Sequence, residues 1–255
     1  MAVLIPMPHA YFRFYGSLND FLPPFRRQRQ FHRYIKERGS IKDAIEALGV
    51  PHPEVALILV HGTSVSFDYL VQPYDCISVY PQFTHLDITA LSRVQPPPLA
   101  QGRFVLDVHL GKLATYLRLL GFDTLYRNDY HDDDLAQISS QQQRILLTQD
   151  RGLLKRSIVT YGYAVRSEHP DIQIIEVLQR FQLQAAVSPL QRCPRCNGPL
   201  RLVDKATIAD QLPYYTRLYY DEFAQCQHCR QIYWKGAHYR RIQALIERVQ
   251  TASAP

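Results

Sequence analysis

The chain has 255 residues, 46% of them apolar, enough to build true cores and to exclude wholesale disorder. Its apolar runs fall far short of the ~20 residues that span a bilayer. The opening MAVLIPMPHAYF lacks a basic leader region and breaks at Pro6, so a cytoplasmic protein with no membrane partner is expected. The net charge of +6 is uneven: +1 over residues 1–85, 0 over 86–189 and +5 over 190–255. A positive surface concentrated in one quarter of a chain attracts polyanions, nucleic acid above all.

Taken in order, YFRFY (11–15) and QFHRYI (30–35) are β-prone and alternating, and predict two strands. Ser40 is placed to cap a helix that runs to Leu48, with Gly49 ending it. VALILV (55–60) predicts a buried strand, HGTS a turn and CISVY (76–80) a last strand, with Cys76 expected as an inert core thiol. Two strands, a helix and further strands resemble a ubiquitin-like β-grasp domain over residues 1–85. No diglycine ends it, so docking of a protein partner is expected of it rather than sulfur transfer. VQPPPLAQG closes a proline-rich linker, residues 86–102.

Residues 103–188 alternate between the two periodicities. RFVLDV (103–108), FDTLY (122–126), RILLT (144–148) and YAVRS (163–167) read as strands. Residues 110–120, with Gly121 as C-cap, then 132–142, 151–157 and 172–182 read as helices. The expectation is an α/β fold: a parallel sheet in three layers, with ligands bound at the carboxyl edge.

Asp107 and Asp150 follow strands at that edge, and Asp132, Asp133 and Asp134 open a helix there. Carboxylates crowded on one rim repel unless a cation neutralises them, and hard oxygen ligands suit Mg²⁺ or Mn²⁺. Such an ion activates water against a phosphodiester. Asp107, Asp132 and Asp150 are the candidate ligands, and together with Asp133 the candidate catalytic residues. The bland alternative is that the Asp run only caps its helix and complements the dipole.

Cys193-Pro-Arg-Cys196 and Cys226-Gln-His-Cys229 are two C-x₂-C knuckles, whose four thiolates would close a tetrahedral structural Zn²⁺ shell. A β-hairpin is expected between them, and His228 is expected to point outward. A helix at 238–250 should follow, with Ile242, Leu245, Ile246 and Val249 on one face and Arg240, Arg241 and Arg248 in solvent. Lys112, Arg151, Lys155, Arg195, Arg230 and Lys235 are candidate phosphate contacts. Interleaved Tyr214, Tyr215, Tyr219, Tyr220, Tyr233 and Trp234 either stack on bases or form the small core, and Trp234 is assigned to the core.

FVLDVHLGKLATYLRLLGFDTLY, HDDDLAQIS, RILLTQDRGLLKR, CPRC…CQHC and IYWKGAHYRRI, in that order, closely resemble the Mut-seven-C RNase family over residues 103–245. The resemblance implies a PIN-like nuclease domain (103–188), a zinc ribbon with a C-terminal helix (189–255) and a fused ubiquitin-like domain. It also implies acidic positions at Asp107, Asp132 or Asp133, and Asp150, and a metal-dependent ribonuclease leaving 5′-phosphate and 3′-hydroxyl ends. The alternative is an RNA-binding zinc-ribbon protein whose PIN-like domain is inactive.

Overall fold

The structure, a computed structural model, describes residues 8–35, 38–83, 86–97, 99, 102–236, 239, 243–244 and 246–248. In chain order these form β1 (His9–Phe14), β2 (Phe31–Tyr34), α1 (Ile41–Ala47), β3 (Leu57–Val60), β4 (Thr63–Ser64) and β5 (Cys76–Tyr80). There follow β6 (Phe104–Leu106), α2 (Gly111–Leu119), β7 (Thr124–Tyr126), α3 (Asp132–Gln141), β8 (Ile145–Thr148), α4 (Arg151–Leu154), β9 (Gly162–Ala164) and α5 (Pro170–Arg180). Last come β10 (Leu200–Val203), α6 (Lys205–Ile208), α7 (Tyr214–Tyr219), β11 (Phe223–Cys226) and β12 (Ile232–Trp234). Short 3-10 turns join several of them, including His52–Glu54. The chain divides into two compact units, Met1–Pro98 with Asp150–Ala164, and Leu99–Gln149 with Val165–Pro255.

In the first unit the strand order is β2-β1-β5-β3-β4, with β1 parallel to β5 and the other pairs antiparallel. This is the β-grasp arrangement of a ubiquitin-like domain. Alternation sets its core: Ala10, Phe12 and Phe14 of β1 are buried, as are Ile77 and Val79 of β5. Ser40 caps α1 by accepting from the Asp43 amide at 3.1 Å, and the helix buries Ile41 and Ile45. Cys76 corrects the sequence reading. The register that turns Ile77 and Val79 inward turns Cys76 out, and it is exposed rather than a core thiol.

In the second unit β7, β6 and β8 pair in parallel, in that order, and every residue of β6 and β8 is buried. Such strands read as unbroken apolar runs because both faces are covered. Helix α2 packs on α5 and β7, and α3 on β6 and β8. The spacing of Leu110, Leu113, Ala114, Leu117 and Leu120 becomes the buried face of α2 and its flanks. Gly121 ends it at φ +98°, and a Cβ there would lie 2.1 Å from the Ser188 carbonyl oxygen.

The C-terminal part of this unit holds the antiparallel sheet β10-β11-β12. The expected simple hairpin between the knuckles is corrected: β10 does pair with β11, but α6 and α7 lie between them. Ile208, Leu212 and Phe223 form a core there, against which Tyr220 and Trp234 pack. Most of the closing helix expected at 238–250, with Arg240, Arg241, Ile242, Leu245 and Val249, lies outside the described residues. Arg248 is described, and it donates to Asp171 at 3.0 Å instead of standing alone in solvent.

Candidate active site and metal centre

Asp107 sits where β6 runs out and the chain enters a 3-10 turn, Val108–Leu110. Its amide continues the ladder by donating to the Leu147 carbonyl at 3.1 Å. The parallel register of Leu106 with Leu147 then sets Asp107 beside Thr148 at the carboxyl end of β8. Thr148, fully buried, donates its hydroxyl to Asp107 Oδ2 at 2.7 Å, and Asp107 is itself 8% exposed. A buried carboxylate needs such a donor, and a hydroxyl bonded to a charged oxygen is among the stronger hydrogen bonds. Tyr126, which sequence reasoning passed over, donates its hydroxyl to the Val108 carbonyl at 2.9 Å and so pins the turn that follows Asp107.

The acidic run opens α3 with Asp132, Asp133 and Asp134 all exposed. The N-cap is His131 rather than Asp132, and Asp134 reaches back to accept from the His131 amide at 3.1 Å. Asp150 is the N-cap of α4, accepting from the Gly152 amide at 2.6 Å. Of the candidate phosphate contacts, Lys112, Arg195 and Arg230 are exposed. Lys235 pairs with Glu222 at 2.8 Å. Arg151 lies 5.0 Å over the Phe21 ring and Lys155 donates to the Glu46 carbonyl at 2.7 Å, both within the first unit.

The four cysteines do come together. Cys193, Cys196, Cys226 and Cys229 hold their sulfurs within 4.8 Å of one another, with Cys193 to Cys229 at 3.6 Å and Cys196 to Cys226 at 3.4 Å. All are free thiols, and a Zn–S length of ~2.3 Å gives a tetrahedral edge of ~3.8 Å, so the cluster fits zinc and excludes bonded disulfides. Both knuckles turn alike, with the residue after the second cysteine in the left-handed region, Asn197 at φ 65° and Arg230 at φ 61°. Gly198 is required by close approach: a Cβ there would lie 2.9 Å from both Cys226 Sγ and the His228 ring. Burial and the neighbouring sulfurs push the Cys196 thiol up to about 12. Burial raises Cys226 too, but amide hydrogens of Cys229 and His228 outweigh it and bring that thiol down to about 7. The Tyr233 hydroxyl stands 3.0 Å from Cys193 Sγ, placed to donate to the thiolate. Among the described residues this is the one group of three or more His, Cys, Asp or Glu placed to share a metal ion, and His228 stays outside it.

A buried polar network that spacing and periodicity do not reveal joins the first knuckle to the sheet. Asp123 meets Arg144 at 3.0 Å and accepts from Asn197 Nδ2 at 2.7 Å, while Asn197 Oδ1 accepts from the Thr124 amide at 2.9 Å. Arg118, 6% exposed, donates to the carbonyls of Thr124, Pro194 and Arg195. Burial alone would raise the Asp123 carboxyl, yet the hydrogen bonds from Arg144 and Asn197 and the charges of Arg144 and Arg192 hold it below the usual range. Burial is also the largest influence on Arg118 and lowers it, the charges of Cys196 and Cys193 opposing.

No helix among the described residues is long and apolar enough to cross a membrane. A family model described as the Mut7-C RNAse domain matches residues 102–246, and one described as Mut7-C ubiquitin matches residues 7–87. No curated protein and no solved structure matches the chain. The parallel sheet with Asp107 at its carboxyl end and the four-cysteine centre fall within the first of these matches, the β-grasp sheet within the second. With more than half of its residues so matched, the chain belongs to the Mut7-C RNAse domain family, a membership that supports a nuclease-type function.

Proposed function

We propose that this protein is a cytoplasmic ribonuclease that hydrolyses RNA phosphodiester bonds with a carboxylate-bound Mg²⁺ or Mn²⁺. The observation that carries the reading is Asp107, a nearly buried carboxylate held by Thr148 at the end of a central strand, inside the family match. Mg²⁺ keeps several waters and takes one or two carboxylates, so it needs no full protein cage, and a carboxylate with one oxygen engaged by Thr148 retains lone pairs for it. Asp107, Asp132 and Asp150 are the residues to which the family resemblance assigns the ion, with Asp133 beside them. When bound, the ion lowers the pKa of a water and stabilises the leaving oxygen. Thr148 orients Asp107, and Tyr126 fixes the turn after it. The four cysteines would hold Zn²⁺ through sulfur alone, leaving no position for substrate, so the part we assign to that centre is structural. Exposed Lys112, Arg195 and Arg230 are offered to the phosphates, and Tyr214, Tyr215 and Tyr219, each at least 65% exposed, to unpaired bases.

The test is digestion of mixed RNA with Mn²⁺ by the full chain and by Asp107→Asn and Asp150→Asn. Cleavage by the parent, abolished by chelation and by either substitution, is the expected result. Equal cleavage by all three would end the catalytic claim. One observation favours a second reading: among the described residues, the cysteines alone form a group placed to share a metal ion. An RNA-binding protein with an inactive PIN-like domain would retain salt-sensitive RNA affinity and cleave under no divalent ion.

A further inference from the structure

Residues 150–164, between β8 and α5, fall in the same compact unit as the ubiquitin-like residues. The segment's helix α4 has four residues, less than the length at which a helix persists unaided. Leu153, Leu154 and Val159 are buried, and beside them polar contacts tie the segment to the ubiquitin-like residues. Glu54, 1% exposed, accepts from the Ala164 amide at 2.7 Å. His52, 7% exposed, sets Nε2 2.8 Å from the Val159 carbonyl and Nδ1 2.7 Å from Glu46 Oε1. The carbonyl of Glu46 accepts from Lys155 Nζ at 2.7 Å, and Tyr161 donates to the Pro97 carbonyl at 2.8 Å. At the near end, the Arg151 guanidinium lies over Phe21 and donates to its carbonyl at 3.3 Å. Gly162 completes the fit, since a Cβ there would lie 3.5 Å from Pro53 Cβ and 2.6 Å from Leu154.

A buried glutamate and histidine are costly unless their partners are supplied, and here the partners include, beside Glu46, backbone atoms of residues 159 and 164. We propose that the ubiquitin-like part of this chain is the holder of the Asp150 segment, with His52 and Glu54 of the His52–Glu54 turn acting as positioning residues for Asp150. The consequence for cleavage rests on the ribonuclease reading above; the hold itself does not.

Hydrogen exchange and RNA cleavage with Mn²⁺ on the full chain, for the parent, Glu54→Leu, Glu54→Gln and Lys155→Met, test this. Glu54→Gln keeps an oxygen acceptor for the Ala164 amide, and Lys155→Met is a half-buried change that spares the core. Expected are exchange about tenfold faster across residues 151–164 in Glu54→Leu and Lys155→Met, unchanged exchange in β1, β3 and β5, and near-parental exchange in Glu54→Gln. The turnover number should fall about tenfold in Glu54→Leu with KM held and recover in Glu54→Gln. Unchanged exchange in residues 151–164 of both Glu54→Leu and Lys155→Met overturns the hold. Faster exchange with parental turnover overturns the positioning role. If Glu54→Leu does not fold, Lys155→Met decides the hold. A parent that cuts no RNA sinks the ribonuclease reading and leaves exchange to decide the hold.

Discussion

Asp123→Ala is the perturbation whose cost can be worked most closely. The carboxylate meets Arg144 through two contacts of 3.0 Å and Asn197 through one of 2.7 Å. Truncation leaves Arg144, 6% exposed, as a buried cation without its anion. Breaking a buried pair in this way costs about 3–5 kcal/mol. Arg144 keeps contacts to the carbonyls of Phe104 and Asp123 at 3.3 Å and to Gln142, so the low end, about 3 kcal/mol, applies. For a unit of this size that is a fall in Tm of about 6–12 °C. Because folding holds the Asp123 carboxyl below its ordinary value of 3.8, its contribution is present above that value and is lost as pH falls through the folded one. Thermal unfolding at neutral pH should therefore separate parent from variant, and the gap should narrow in acid. The double variant Asp123→Leu with Arg144→Leu should recover part of the loss, since it strands no charge. A single variant melting within about 3 °C of the parent would refute the reasoning.

Three further outcomes follow from the metal centre and from Asp107. Removing Zn²⁺ should unfold the ribbon, since metal binding supplies ~10–16 kcal/mol in comparable sites; amides of residues 193–234 that stay protected from exchange after chelation would contradict this. Gly198→Ala forces a methyl against Cys226 Sγ and the His228 ring, both 2.9 Å away, and should weaken zinc retention in competition with a chromogenic chelator, while parental retention would show that the knuckle yields. Thr148→Val keeps the shape but strips Asp107 of its donor, and should cost about 1.5–3 kcal/mol in urea unfolding; an unmoved midpoint would mean that the bond at 2.7 Å contributes nothing.

What the sequence made legible is what periodicity and spacing encode. The apolar runs before Asp107 and through residues 145–147 became the buried strands β6 and β8, and the C-x₂-C pairs became one centre. Ser40 and Gly121 ended helices where expected, because a cap acts within one turn of chain. Cys76 was misread because it opens an otherwise apolar strand, whereas alternation along β5 turns Ile77 and Val79 inward and Cys76 to solvent. The helices between the knuckles were missed because Tyr214 to Tyr219 carries no apolar stripe: Thr216 is buried while the tyrosines face out. Asp123, Asn197, Arg118 and Glu54 were illegible for another reason. Their partners lie far along the chain, and a polar residue in sequence does not declare whether it is solvated or buried and satisfied.

Those unread residues share one physical device. In each unit, buried polar side chains bind the backbone of a distant segment: Glu54 takes the Ala164 amide, Asn197 the Thr124 amide, and Arg118 the carbonyls of the first knuckle. Apolar contact would tolerate sliding by a residue, as cores accept many packings of similar volume. A hydrogen bond from a buried side chain to one named backbone atom does not, because a slip leaves both groups unsatisfied at several kcal/mol. Core substitutions such as Ile45→Val should therefore lower stability while leaving the attached segments in register. Loss of Glu54 or Asn197 should instead loosen one segment within an otherwise intact fold. A backbone partner can be any residue type, so pairings of this kind leave no pattern in composition or spacing, however firmly they fix where the knuckle and the Asp150 segment lie.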